Sequence, residues 1–407
     1  MKNILFILSV LFITGLHAQT LDEYLKKSIE NNPGLKARYS EFEAALQKIH
    51  QVKSLPDPTL SMSAFGQMIE TRVGPQRAIF ILNQMLPWVG TLKAQGDVMG
   101  YLAEAKFQAW LDSRNELLFK VKSAWYPIYE LDQTIKYQQE NKLILESFKT
   151  LSLTRFKNGK GAMVDVIRVD IMLDDLSTEL IILENKRKPL LAQLNKLLNQ
   201  NINTPLEITD SILPDINLPV YSIDSILENN PKLKEVEKKE QAWQQQTIVA
   251  RKQGMPKLGI GLNYTIIGER TDMDVPDNGK DAIMPMVSIS LPIYRKKYRA
   301  AHKEAEFMQS SLQEMKVDMS NELSATYELS YFELSKAIEE YKLFATQMEK
   351  TDQASNLLMA AYSNSGKDFE EVLRMQQLNF KYKINTSTAV KNYFIAKARL
   401  EYLNAKN

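Results

Sequence analysis

An internal duplication restricts the fold of this chain more than any other feature. Glu30-Asn31-Asn32-Pro33 recurs as Glu228-Asn229-Asn230-Pro231, and the offset that carries Pro33 onto Pro231 also sets Leu35 on Leu233, Pro58 on Pro256 and Leu60 on Leu258. Further along, Leu86-Pro87 matches Leu291-Pro292, Arg155-Phe156-Lys157-Asn158-Gly159 is echoed by Ala361-Tyr362-Ser363-Asn364-Ser365, and Ile167-Arg168 matches Leu373-Arg374. A period of about 200 residues is too long for a solenoid, so the chain reads as two copies of one unit.

Each unit has the same order of parts: a short helix, an Asn-Asn-Pro break, an amphipathic helix, two short strands, a very long helix, a turn and another long helix. The asparagines and proline mark a stop and a restart. In the first unit the long helix is expected over 91–157, on the order of 100 Å at 1.5 Å per residue. Its counterpart, 294–362, contains neither Gly nor Pro and is rich in Ala, Glu, Lys, Leu and Gln, the composition of long exposed or coiled helices. A kink is expected at Pro127 in the first. Pro205, Pro214 and Pro219 lie in a polar stretch that reads as an extended connector on the outside of the helices. The expected layout is a leader over 1–18, a first repeat over 19–200, the connector over 201–221 and a second repeat over 222–407.

The leader follows from Lys2, an apolar run over 4–16, and Leu16-His17-Ala18 before Gln19, a secretory signal peptide cut after Ala18. That run is too short to span a bilayer, and no later stretch approaches the roughly 20 apolar residues a membrane helix needs. Any membrane insertion must therefore use strands. The absence of cysteine removes disulfides, thiolate metal sites, cysteine nucleophiles and a lipid-carrying cysteine. With 51 basic and 49 acidic residues there is no global field to attract nucleic acid.

Strands are expected over about 58–69, 76–86, 257–268 and 281–292. In the third, Leu258, Ile260, Leu262, Tyr264 and Ile266 alternate with Gly259, Gly261, Asn263 and Thr265, which gives one oily and one wet face. The first and fourth alternate similarly and the second poorly. Two soluble hairpins capping a helical bundle would fit this pattern, since outer-membrane strand signals are weak. Length favours the membrane, because about ten tilted residues cross the hydrocarbon layer. Two hairpins cannot close a barrel and open edges are not tolerated in lipid, so several chains would have to pool their strands.

Two motifs, each present twice in register, carry a family resemblance. The first is Gln84-Met85-Leu86-Pro87-Trp88-Val89-Gly90 with Ser290-Leu291-Pro292-Ile293-Tyr294. The second is Arg155-Phe156-Lys157-Asn158-Gly159 followed by Asp165-Val166-Ile167, with Ala361-Tyr362-Ser363-Asn364-Ser365 followed by Glu371-Val372-Leu373. With the order of elements and the duplication, the mature chain resembles the TolC-like family of outer-membrane efflux proteins. The resemblance implies a mainly α fold with a small β part. Long antiparallel helices would form a trimeric α-barrel in the periplasm, and four strands per chain would contribute to a shared twelve-stranded β-barrel in the outer membrane. It further implies a homotrimer that passively conducts substrates, with a periplasmic adaptor and an inner-membrane pump as partners.

By that alignment Asp165 and Glu371 match the acids that narrow the family's periplasmic entrance. Arg374 stands where the family has a second acid, so this gate is expected to be salt-bridged. Threefold symmetry would turn each acid into a ring that favours cations; alternatively, both simply sit in a first helical turn, where the macrodipole favours them. Lys157, Asn158 and Gly159, with Asn364, Ser365 and Gly366, are the expected adaptor-docking tips, although glycine also caps helices. Trp88 is the expected membrane-interface anchor, while Trp125 and Trp243 are expected to pack between helices. The 17 methionines show no clustered spacing, and Met commonly fills gaps. His50 and His302 lack ligand-spaced partners. No cofactor or metal is expected. An enzyme is disfavoured because the chain has no phosphate loop after a strand, no nucleophile elbow and no His cluster. The competing function is a soluble periplasmic coiled-coil adaptor or scaffold.

Overall fold

The computed structural model describes residues 20–206, 208, 212–218, 221–365 and 369–405. The expected leader and the tip residue Gly366 lie outside the described residues, as does Pro219 of the connector. In chain order the elements are α1 (Leu21–Asn31), α2 (Pro33–Lys53), β1 (Thr59–Thr71), β2 (Gly74–Leu86), α3 (Thr91–Lys157), α4 (Met163–Leu197), α5 (Ile223–Asn229), α6 (Pro231–Gln253), β3 (Lys257–Ile267), β4 (Ala282–Ser290), α7 (Lys296–Ser365) and α8 (Phe369–Leu403). The order helix, helix, strand, strand, long helix, long helix occurs twice.

The Asn-Asn-Pro breaks work by the same backbone rule. Proline forces the preceding residue into extended conformation, and Asn32 (ψ 119°) and Asn230 (ψ 124°) are both held there. Their side chains then diverge. Asn32 Nδ2 donates to the Leu197 carbonyl at 3.1 Å, tying the end of α1 to the end of α4. Asn230 caps α6, its side chain accepting from the Lys232 amide at 3.0 Å, with Pro231 in the first turn, where a missing N–H costs nothing.

The chain forms two compact units. Of the described residues, the first comprises those up to Pro33, those within Arg114–Ile226 and those from Ala325 onward; the second comprises Gly34–Ser113 and Leu227–Ser324. In the first unit α3 runs as one helix through Pro127, where Trp125, Ile128 and Tyr129 are buried. The Trp125 ring stacks on Tyr129 at 6.0 Å. A second cluster joins Leu334, Ala337 and Ile338 of α7 to Tyr393, Ala396 and Leu400 of α8. The described part of the connector has neither helix nor strand. It is held to the helices by Arg187, which bonds the Leu206 carbonyl at 2.7 Å while forking onto Asp132, and by Tyr327, which donates to the Tyr221 carbonyl at 2.8 Å. Burial pushes the Tyr221 phenol up to about 12.

In the second unit the four strands form one antiparallel sheet in the order β1-β2-β3-β4, with β1 and β4 as its edges. The two hairpins are thus joined through β2 and β3. The register puts Leu60, Leu82, Leu262 and Pro285 in one row and Met62, Phe80, Tyr264 and Ile283 in the next, all on the same face. Ser61, Ile81, Asn263 and Met284 form a row on the other face. β2 alternates poorly because Ile79, Ile81 and Met85 make its second face apolar as well. Its apolar row partners fix which side is which: Ala78, Phe80, Leu82 and Leu86 share the face of Leu258, Leu262 and Ile266.

Candidate functional site

The two sites expected from the sequence fall one in each unit. In the first unit, α3 ends in a Schellman turn: the Gly159 amide bonds the Phe156 carbonyl at 3.0 Å and the Lys160 amide bonds the Arg155 carbonyl at 2.9 Å. Gly159 takes φ +69°, the left-handed conformation that glycine adopts without a Cβ penalty. The second copy has no glycine at the matching position, Ser365, and α7 stays helical through it. Asn364 and Ser365, expected in a turn, are therefore the last residues of a helix. Lys157, Asn158, Gly159 and Asn364 are all exposed.

Arg155 joins the two helix ends. Its Nη1 donates to the carbonyls of Tyr362 at 2.9 Å and Ser363 at 3.2 Å, and its Nη2 donates to the Lys160 carbonyl at 3.2 Å. The guanidinium also lies 4.7 Å from the centre of the Tyr362 ring. A cation is suited to this place because the last carbonyls of α7 carry the negative end of the helix dipole. Beneath it, Leu145, Phe148, Val169, Tyr362, Phe369 and Val372 form one buried cluster. Burial raises the Tyr362 phenol above its ordinary value; the nearby Asp165 charge adds to this and Arg155 opposes it.

Asp165 is the third residue of α4 and Glu371 the third of α8, so both carboxylates sit where a helix N-terminus favours negative charge. Glu371 accepts from Arg374 Nη2 at 2.6 Å. Next to it, Arg168 of α4 pairs with Glu370 of α8 at 3.1 Å. Asp165 has no ion-pair partner among the described residues, so one of the two acids is compensated and the other is not.

In the second unit the sheet is inside out compared with a soluble protein. Val287 is 78% exposed, Met62 69% and Ile283 66%, whereas Thr265 on the opposite face is only 8% exposed and Gly259 is buried. Soluble sheets turn such a face to a core. No helix among the described residues is long and apolar enough to cross a membrane. All four strand-to-helix connections leave from one end of the sheet. Trp88 lies there, 42% exposed, and lines a cavity of about 720 Å³ together with Lys252, Lys257, Lys297 and Tyr298. Gly90 follows at φ +78°, and a Cβ there would lie 2.8 Å from the Lys252 ammonium. Trp125 is buried and Trp243 half-buried, its carbonyl accepting from Gln309.

A four-stranded sheet with an exposed apolar face, in a chain of paired long helices, is a combination shared with outer-membrane channels. The outer membrane efflux protein family model matches residues 222–403, nearly all of the second repeat. Over the full chain, the outer-membrane channel OprN superimposes with a TM-score of 0.76 at 16% identity, covering 95% of this chain and 90% of that one. VceC of Vibrio cholerae gives 0.75 at 14%, covering 95% and 96%, and the open-state MtrE channel of Neisseria gonorrhoeae gives 0.73 at 13%, covering 95% and 88%. A search of curated protein sequences finds no match. The second repeat thus matches the outer membrane efflux protein family, and the whole chain shares its fold with outer-membrane channels.

Proposed function

We propose that the chain works as a homotrimer, with its sheet in the outer membrane and its helices in the periplasm, passively conducting substrates delivered by a periplasmic adaptor and an inner-membrane pump. The observation that carries this reading is the sheet itself: apolar on its exposed face, and unpaired along β1 and β4. Unpaired backbone groups are not tolerated in hydrocarbon, so β4 of one copy must meet β1 of the next. Two copies would give eight strands and a filled interior; three give twelve and a wet lumen. Trp88 anchors the sheet at the interface. The exposed Lys157, Asn158, Gly159 and Asn364, with Ser365 and Gly366, receive the adaptor.

The rings formed by Asp165 and Glu371 narrow the periplasmic entrance. Arg374 neutralises Glu371, so Asp165 carries most of the cation preference. One preparation tests both levels. The protein should extract from outer-membrane fractions as a heat-sensitive trimer, and planar-bilayer recordings should show a cation-preferring pore. In Asp165→Ala plus Glu371→Ala the preference should fall and the conductance rise. A chain that washes off without detergent would instead be the soluble adaptor; unchanged conductance and preference would remove the gate.

A further inference from the structure

The segments that join the helices to the sheet, 51–57, 87–95, 250–257 and 291–302, contain nine basic residues and a single acid, Asp57. The opposite end of the sheet, 70–77 and 268–281, contains four basic residues and six acids. In a chain that is nearly neutral overall, this is a strong local imbalance. Arg295, Lys296, Lys297 and Arg299 are all exposed, and none has an ion-pair partner among the described residues. Three cavities meet at Tyr298: the one beside Trp88, a second of about 260 Å³ reaching Leu291, Ile293 and Tyr294, and a third of about 290 Å³ lined by Arg251, Arg295 and Arg299.

The stability of α7 does not account for these cations. Lys296, Lys297 and Arg299 lie in its first turn, where the dipole disfavours positive charge. Arg295, just before it, has only donors and cannot cap an amide as Ser, Asp or Asn would. These exposed groups are open to an anion from outside the chain. The surroundings specify its chemistry: Ile293 is 70% and Tyr294 78% exposed, just after β4, whose Ile289 shares an exposed apolar face with Leu258. A partner that fits has an anionic head beside a long apolar body.

We propose that this rim binds anionic glycerophospholipids of the leaflet facing the helices. Lys252, Lys257 and Lys297 hold the phosphate and the acyl chains lie along Leu258, Ile289 and Leu291. Lysine stems cover apolar surface while the ammonium stays at the polar boundary, and the Trp88, Tyr294 and Tyr298 rings suit the same depth. The proposal rests on the sheet spanning the outer membrane.

Native mass spectrometry of the full-length protein in nonionic detergent, with equimolar phosphatidylglycerol and phosphatidylcholine, tests it. The unaltered protein should retain phosphatidylglycerol in about fivefold excess or more. That excess should disappear in Lys252→Gln/Lys257→Gln/Lys297→Gln and persist when the three are changed to Arg. Equal retention of both lipids by the unaltered protein overturns the proposal without reference to any variant. Displacement of the lipid by millimolar inorganic phosphate also overturns it, since the site would then hold free phosphate. Fractionation separates the two failures: an inserted trimer without lipid preference sinks only the rim, and a chain confined to the soluble fraction sinks the membrane reading with it.

Discussion

One guanidinium fixes the relation of two helix ends that are far apart in the chain. Arg155 reaches three carbonyls, on Tyr362, Ser363 and Lys160, a task suited to a planar fork of donors and not to a single ammonium. Hydrogen bonds from a charged donor contribute about 1.5–3 kcal/mol each where water is excluded. These are partly exposed, so the local loss in Arg155→Ala is expected to be about 2 kcal/mol in total. Amide hydrogen exchange should speed up over 155–165 and 358–365, with the strands unaffected, and Arg155→Lys should restore little of the protection. Unchanged protection in Arg155→Ala would mean that the buried cluster around Tyr362 holds the two ends together alone. The sequence reveals Arg155 only as part of a repeated motif, because its partner carbonyl lies 207 residues away and the motif's second copy has Ala361 in its place. The pairing of Glu371 with Arg374 was legible, since three residues along a helix bring side chains together.

Among the helices and strands, legibility in the sequence follows the strictness of the residue pattern. The long helices were plain from the absence of Gly and Pro over 294–362, and the repeat fixed their order. β3 was plain because glycine and polar residues alternate with large apolar ones. β2 was not, because its wet face carries Ile79, Ile81 and Met85, and only the pairing partners reveal its orientation. α7 ends a few residues later than its repeat predicts, because without a glycine nothing in the backbone forces the turn to begin at Ser363. The two faces of β3 make opposite predictions for neighbouring residues. Arginine on the lipid face near mid-membrane costs about 2–4 kcal/mol, so Leu262→Arg should strongly reduce the yield of heat-sensitive trimer. Asn263→Arg, one residue on and on the opposite face, should assemble normally and alter ion selectivity. Equal yields from the two variants would show that the apolar face does not meet lipid.

For the whole molecule, the edges of the sheet determine what one chain can do alone. β1 and β4 are separated by two strands, which at about 4.8 Å between neighbours puts them about 14 Å apart. A disulfide needs Cα atoms within about 7 Å, so no bond can form between these edges within one copy of the sheet. The chain lacks cysteine, and any introduced pair therefore reports on copies meeting edge to edge. Ser63 on β1 shares the face opposite the exposed apolar one with Met284, Met286 and Ser288 on β4. Ser63→Cys combined in turn with Met284→Cys, Met286→Cys or Ser288→Cys scans the unknown register between copies. In the matching combination, oxidation should give a ladder that ends at three chains, with a closed form that migrates differently from the open trimer. Monomer alone across the whole scan would mean that the strands never close into a shared barrel, and the apolar face of the sheet would then need a different cover.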